Sequence, residues 1–148
     1  MGASGWDYYV TYQPDFGAAF ADLQRRVFAE GDYYWADGRE YGKSAAAFPD
    51  RPTSLDDLWG SETVQETGTH SILDMSRVIA PGEKPEFGTV EPLSDAEAVA
   101  HAGVAKLTRA HVAGLDGLVA ERWLGRCAVL HDEAGEPSEL YFWGISGD

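Results

Sequence analysis

Residues 140–145 (LYFWGI) restrict the fold more than any other segment of this sequence. Successive side chains of a strand point to opposite faces of a sheet, and here both sets of side chains are apolar. We therefore predict a central strand covered on both faces, or one whose outer face meets a loop or a partner. Residues 127–131 form the preceding strand, and Gly135 and Pro137 between them are typical of the turn in a β-hairpin.

The start of the chain predicts a strand followed by a helix. Residues 6–13 (WDYYVTYQ) are rich in aromatic and β-branched side chains and end at Pro14, which indicates a strand. Residues 15–30 carry apolar side chains at helical spacing, with Asp15 as an N-terminal cap and Gly31 as the C-terminal stop. The apolar side of this helix must be buried, and the aromatic strand before it is the nearest candidate.

Capping and turn residues divide the rest of the chain into shorter elements. We predict, in order, a long connection over 31–53, a helical turn starting at Ser54, a strand over 69–80, a loop over 81–92, and helices over 94–102 and 108–126. This order predicts one α+β domain over residues 1–148, with a mainly antiparallel sheet and helices packed on one face.

The acidity of the chain narrows the classes of partner. The formal net charge is -14, from 25 acidic and 11 basic residues. A surface this negative repels phosphate backbones and anionic lipid surfaces, so we expect neither nucleic acid nor membrane as a partner. The single cysteine, Cys127, allows no internal disulfide, and the first residues lack the pattern of a signal peptide. We therefore expect a cytoplasmic protein.

Four ionisable residues are the candidates for catalysis. His70, Asp74 and Arg77 lie in the predicted strand over 69–80, and His131 ends the first strand of the hairpin. These residue types suit general acid–base chemistry in a small hydrolase or transferase, but structural polar pairing is the reading that we favour for them. The histidines lack the spacing of metal ligands, and no phosphate-binding glycine motif is present, so we predict no metal and no cofactor.

The aromatic residues of the long connection are the candidates for recognition. Tyr33, Tyr34 and Trp35, together with Tyr41, provide rigid contact area with polar tips, as binding hot spots do. Carboxylates surround them, and this combination suits a basic protein or a cationic ligand. The alternative is that these rings only pack the connection onto the sheet.

Four segments resemble a family of small uncharacterised bacterial proteins of unknown function: GWDYYVTYQPDFGAAFADLQ, SILDMSRV, PEFGTVEPL and ELYFWGISGD. The resemblance implies a single intact domain and transfers no activity or site. The function we expect is therefore that of a non-catalytic acidic protein that binds a basic or cationic partner, for example as an immunity protein or antitoxin-like inhibitor. A small enzyme or a small-molecule-binding module are the alternatives.

Overall fold

The computed structural model describes residues 4–35, 40–41 and 52–147, with the backbone alone for residues 40 and 41. The strands are β1 (Gly5–Thr11), β2 (Tyr34–Trp35), β3 (Glu40–Tyr41), β4 (Arg77–Val78), β5 (Thr89–Pro92), β6 (Gly125–His131) and β7 (Pro137–Ile145). The helices are α1 (Phe16–Glu30), α2 (Leu55–Trp59), α3 (Glu62–Thr67) and α4 (Asp95–Ala102), with 3-10 helices at Ile72–Asp74 and Arg109–Leu118. None of the helices described is long and apolar enough to cross a bilayer.

The main sheet has the strand order β1-β7-β6-β5-β4. The hairpin strand β7 pairs antiparallel with β1 on one side and with β6 on the other. This confirms that the doubly apolar segment is a central strand. The other two pairings, β6 with β5 and β5 with β4, are parallel. The α+β class is confirmed. The sheet is mixed rather than purely antiparallel, and its longer pairings, those of β7, are the antiparallel ones.

Each face of the main sheet carries its own apolar cluster. On the first face, Phe142 and Cys127 pack against α1, α2 and the 3-10 helix Ile72–Asp74. On the second face, Tyr141 and Ala128 pack against α4 and the 3-10 helix Arg109–Leu118. The prediction that the helices pack on one face is therefore wrong. Alternation along β7 requires this arrangement, because both of its apolar sets need cover.

Local signals place several helix ends correctly. The Asp15 side chain accepts a hydrogen bond from the backbone of Ala18, and Gly31 ends α1 in the left-handed conformation with φ 68°. Ser94 and Glu97 form both hydrogen bonds of a capping box at the start of α4. These caps use backbone groups that a helix leaves without intrahelical partners, so the sequence around them specifies the ends directly.

The predicted strand over 69–80 is wrong, because polar side chains there bond to the nearby backbone. The Asp74 carboxylate accepts hydrogen bonds from the backbone and hydroxyl groups of Thr69, at 2.6 and 2.8 Å. The Ser71 hydroxyl accepts one from the backbone of Leu73. His70 adopts a positive φ of 54°, which is incompatible with a strand. The chain therefore forms a 3-10 turn, and within this segment only Arg77–Val78 (β4) pairs as a strand of the sheet.

Three other boundaries differ from the prediction. The predicted helix over 108–126 is a 3-10 helix that ends at Leu118, and Arg126 belongs to β6. The loop over 81–92 ends in β5, whose pairing is with β4 and β6. Within the long connection over 31–53, β2 and β3 pair antiparallel in a small second sheet.

Candidate functional site

The aromatic residues predicted for recognition lie mainly in the core. Tyr33 is 0% exposed and Trp35 is 8% exposed, and the ring of Phe28 stacks on that of Tyr33 with centroids 5.9 Å apart. Tyr34 is partly exposed, and its ring meets that of His70 edge-on at 5.2 Å. The side chain of Tyr41 lies outside the described residues. The structure thus corrects the prediction for Tyr33 and Trp35, which pack the connection onto the domain.

The four candidate catalytic residues have separate partners. Arg77 forms an ion pair with Glu83 at 2.6 Å on the surface. His131 uses its Nδ1 atom for a contact of 3.0 Å with the carbonyl oxygen of Leu107. Asp74 is bound to Thr69, as described above. The structure places His70 and Asp74 on the same turn, but it does not bring the four residues together as a catalytic group.

His70 instead contacts a serine that the sequence analysis did not consider. Its Nδ1 atom lies 3.2 Å from the hydroxyl of Ser146, which also accepts a hydrogen bond from the backbone of Ser4 at 3.2 Å. Ser146 is 0% exposed, and a nucleophilic serine must reach its substrate. The hydrogen bond from Ser4 to Ser146 joins the two ends of the described chain, and His70 adds a contact to the same hydroxyl. Because Ser146 is buried, the His70–Ser146 pair does not support a hydrolase site.

The second face of the sheet carries a row of aromatic rings. Tyr9 of β1 pairs directly with Tyr141 of β7, and their ring centroids are 4.9 Å apart. Trp143 follows two residues along β7, on the same face, and its ring stacks on Tyr141 at 5.1 Å with an interplanar angle of 20°. We call Tyr9, Tyr141 and Trp143 the aromatic row.

A cavity of about 410 Å³ lies over one end of the aromatic row. Tyr141 and Trp143 line it, as do the carboxylate-bearing residues Asp7 of β1 and Asp116 of the 3-10 helix Arg109–Leu118. The described residues that line it include no Lys, Arg or His. We call this space the acidic cavity. Its volume lies within the range of small-ligand sites.

The electrostatics of the acidic cavity are set by its two carboxylates. The hydroxyl of Tyr141 donates a hydrogen bond of 2.9 Å to Oδ2 of Asp7. Burial, this hydrogen bond and the negative charges of Asp7 and Asp116 together raise the pKa of Tyr141 above its ordinary value. The phenol therefore stays protonated at neutral pH and acts as a donor. The cavity presents two exposed carboxylates beside the largely buried rings of Tyr141 and Trp143, which are 6% and 4% exposed, and this negative charge attracts cations.

The other end of the aromatic row is occupied by a cation of the chain itself. The guanidinium carbon of Arg109 lies 4.1 Å from the centroid of the Tyr9 ring. The same guanidinium forms two hydrogen bonds with the carboxylate of Glu139, at 2.8 and 2.6 Å. A guanidinium is thus held between the face of a ring of the row and a carboxylate. The acidic cavity likewise has carboxylates next to rings of the row, although those rings are more deeply buried.

Neither a metal-type cluster nor a reactive thiol occurs among the described residues. No cluster of three or more His, Cys, Asp or Glu side chains with the geometry of a metal site occurs among the described residues. Cys127 is 0% exposed, and burial raises the pKa of its thiol to about 12. The thiolate form that makes a cysteine reactive is therefore absent at neutral pH.

Sequence reasoning missed the acidic cavity because its parts come from distant segments. Asp7 and Asp116 lie on a strand and a 3-10 helix that meet only in the folded domain. Alternation along β1 and β7 could have placed Tyr9, Tyr141 and Trp143 on one face, once the pairing of these strands was known.

Comparison of the chain with protein-family models, with curated proteins and with solved structures finds no match.

Proposed function

We propose that this protein is a non-catalytic binding protein whose acidic cavity engages a basic side chain of a partner protein or another cationic ligand. The observation that carries the proposal is the lining of the cavity. Asp7 and Asp116 bring two carboxylates to the rings of Tyr141 and Trp143, and the described lining contains no basic residue to neutralise them. A ligand cation would supply the missing positive charge.

The contact between Arg109 and Tyr9 supports a guanidinium as the preferred cation. It shows within the same molecule that a ring of the aromatic row accepts a guanidinium on its face when a carboxylate is alongside. Arginine suits such a site because its planar group stacks on a ring and donates to a carboxylate at the same time. Tyr141 is 6% exposed and its ring lies between those of Tyr9 and Trp143. A partner arginine in the acidic cavity would therefore bind mainly to the carboxylates of Asp7 and Asp116, next to the rings and not stacked on Tyr141.

The overall charge supports a basic protein as the partner. A net charge of -14 accelerates association with a positively charged surface and disfavours nucleic acid. An immunity protein or antitoxin-like inhibitor is the concrete form of the proposal, because such a protein needs affinity for a basic surface and no catalysis.

The cytoplasm is the compartment that we propose, since the lone thiol of Cys127 is reduced and buried.

The proposal is tested with a hexa-arginine peptide and its neutral counterpart, hexa-citrulline. Citrulline has nearly the shape of arginine but carries no charge. We expect the arginine peptide to bind and to change the fluorescence of the tryptophans, and we expect the citrulline peptide to bind at least about tenfold more weakly. Calorimetric titration of both peptides at low and physiological salt measures the affinities.

Matched charge variants separate the acidic cavity from diffuse acidity. The double variant Asp7→Asn/Asp116→Asn removes the two carboxylates of the cavity. Glu133→Gln/Glu136→Gln removes the same charge from the exposed turn between β6 and β7. We expect the first variant to lose about tenfold or more in affinity for hexa-arginine, and the second to lose roughly twofold. Equal losses in the two variants would contradict the proposal, because binding would then follow net charge alone.

A further inference from the structure

A second cavity lies on the first side of the domain, beside the turn that holds Asp74. Its volume is about 140 Å³, and three aromatic side chains line it: Trp59 from α2, Phe87 from the loop before β5, and Trp123 from the segment before β6. The rings of Phe87 and Trp123 are 4.7 Å apart. The indole nitrogen of Trp59 donates to the carbonyl oxygen of Leu73 at 2.7 Å, which fixes the orientation of that ring. We call this space the aromatic pocket.

The ring of Trp123 is held in the aromatic pocket by an unusual backbone conformation. Trp123 has a φ of 65°, which is costly for a bulky residue. Two hydrogen bonds maintain it: its backbone N–H donates to Ile145 at 3.0 Å, and its carbonyl oxygen accepts from Gly88 at 2.8 Å. Conformations of this kind persist where the surrounding structure enforces them, which is common at binding sites.

Phe87 is unusually exposed for its size. It is 68% exposed, the largest value among the exposed large apolar side chains of the described chain. Its ring contributes little to the core and forms one wall of the aromatic pocket against Trp123. The exposure of Phe87 leaves this side of the aromatic pocket accessible to a ligand from solvent.

Asp74 is the one ionisable side chain among the described residues that line the aromatic pocket. Its Oδ1 atom accepts the two hydrogen bonds from Thr69, while its Oδ2 atom is buried and has no hydrogen-bond partner among the described residues. Burial raises the pKa of Asp74 to about 6, so the carboxylate form predominates at neutral pH. The pocket therefore combines three rings with one negative charge that no described cation neutralises.

From this geometry we infer that the aromatic pocket binds a quaternary ammonium group, such as the trimethylammonium head of choline or of trimethyl-lysine. The site is separate from the acidic cavity, and the inference does not depend on the function proposed for that cavity. Ring faces attract alkylated ammonium ions, and aromatic cages for them are a recurrent binding mode. The Asp74 carboxylate adds Coulombic attraction and disfavours anions.

Size and hydrogen bonding favour a quaternary ion over a primary ammonium. A cavity of about 150 Å³ can hold a benzene molecule, so 140 Å³ suits a compact head group of similar size. A primary ammonium carries three N–H donors that need acceptors, and ring faces provide only weak ones. The buried Oδ2 atom of Asp74 offers almost no surface to a donor. A quaternary ion has no donor to satisfy, and it needs only the rings and the nearby charge.

The inference is tested by titrating the intact protein with choline and with 3,3-dimethylbutan-1-ol, in which carbon replaces the charged nitrogen. Ethanolamine serves as the primary ammonium. We expect choline to bind at millimolar concentration, with a change in tryptophan fluorescence, and to bind about tenfold or more tightly than either of the other compounds. Equal binding of choline and the neutral alcohol would overturn the inference, as would no binding of choline.

Variants assign the binding to the aromatic pocket. Phe87→Ala removes an exposed ring and is expected to leave the fold intact while lowering choline affinity about tenfold. Asp74→Asn is expected to reduce the preference for choline over the neutral alcohol. If Asp74→Asn does not fold, the result for Phe87→Ala alone decides whether choline binds in the aromatic pocket. Glu133→Gln is the control for net charge. Unchanged choline affinity in Phe87→Ala would overturn the inference.

Two further measurements complete the test. The first identifies the source of the quaternary ammonium group, and the second shows which of the two cavities binds it. A short peptide that contains trimethyl-lysine is compared with choline; tighter binding of the peptide identifies a protein as the source, and tighter binding of choline identifies a free solute. The variant Asp7→Asn/Asp116→Asn is expected to bind choline as the unmodified protein does. Loss of choline binding in that variant would place the cation in the acidic cavity and overturn the inference.

Discussion

The guanidinium carbon of Arg109 lies 4.1 Å from the centroid of the Tyr9 ring, while the same side chain forms an ion pair with Glu139 at 2.6 Å. Arg109 thus covers one end of the aromatic row and leaves the other end to the acidic cavity. Its side chain is 61% exposed, so the ion pair contributes little to stability. The main consequence of Arg109 is electrostatic, because its guanidinium places a positive charge near the acidic cavity, where we propose that a cation binds.

Replacement of Arg109 is predicted to strengthen cation binding. Arg109→Gln removes a positive charge beside the acidic cavity and uncovers the face of Tyr9. We expect the affinity for hexa-arginine to rise roughly twofold to fivefold, at a cost of less than about 1 kcal/mol in the free energy of unfolding. Arg25→Gln is the control, since it makes the same change in net charge on the exposed side of α1. A larger gain from Arg25→Gln would contradict the prediction.

The buried Asp74 is predicted to make the protein less stable as the pH rises. Burial raises its folded-state pKa from 3.8 to about 6, so the folded protein binds the proton more tightly than the unfolded chain does. The stability gained from this proton is fully present below the pKa of Asp74 in the unfolded chain. It is lost as the pH rises through the pKa of Asp74 in the folded protein. The expected loss is at most about 3 kcal/mol. Urea unfolding between pH 4 and pH 7 measures it.

The variant Asp74→Asn tests the assignment of this pH dependence. Asparagine can still accept the hydrogen bonds of Thr69, but it does not titrate in this range. The free energy of unfolding of this variant should therefore change much less between pH 4 and pH 7 than that of the unmodified protein. An unchanged slope in the variant would show that another group is responsible.

The predictable parts of this fold are those specified by neighbouring residues. Asp15 and Gly31 mark the ends of α1, and the Ser94–Glu97 capping box marks the start of α4, because each satisfies backbone groups within a few positions. The apolar alternation of β7 likewise indicated a central strand. The parallel pairing of β5 with β6 could not be predicted in this way, because its residues are brought together only by the packing of α4 and the 3-10 helix Arg109–Leu118.

The candidate sites were harder to predict than the fold. The run Tyr33-Tyr34-Trp35 has the composition of a recognition loop, but composition does not distinguish exposed rings from buried ones, and Tyr33 is fully buried. Asp74 was identified as a charged residue of interest, but on a predicted strand. Its local hydrogen bonds with Thr69 compete with strand formation and create the turn instead. Both proposed cavities depend on contacts between segments far apart in the sequence.

The pair Glu97–Arg126 is predicted to contribute more to stability than the exposed pair Glu139–Arg109. The side chain of Arg126 is 8% exposed, and it donates to Glu97 at 2.7 Å. Glu97→Gln weakens the neutralisation of this buried guanidinium, although Glu91 remains near it. We expect a loss of about 2 kcal/mol in the free energy of unfolding at neutral pH. Glu139→Gln is the matched control, with an expected loss below about 1 kcal/mol.

Acid should weaken the same pair in the unmodified protein. The hydrogen bond from Arg126 lowers the pKa of Glu97 from 4.5 to about 2. The stability that the Glu97–Arg126 pair contributes is present above the pKa of Glu97 in the unfolded chain. It is lost as the pH falls through the pKa of Glu97 in the folded protein. Because the carboxylate is partly exposed, we expect a loss of only about 1 kcal/mol between pH 4.5 and pH 2. Glu97→Gln should lack that part of the acid sensitivity; if it retains all of it, the assignment to Glu97 is wrong.

Gly144 is predicted to tolerate no side chain, because β7 runs against the ring of Trp6 at this position. A Cβ atom on Gly144 would overlap that ring and would lie 2.7 Å from the backbone oxygen of Leu124. Gly144→Ala should therefore lower the free energy of unfolding by about 2 kcal/mol through overpacking. Gly5→Ala is the control on the neighbouring strand, since a Cβ there meets its nearest neighbour at 3.8 Å. Equal stability of the two variants in urea would mean that both the Trp6 ring and the backbone at Leu124 move aside without cost. The edge of the acidic cavity would then be adaptable rather than fixed.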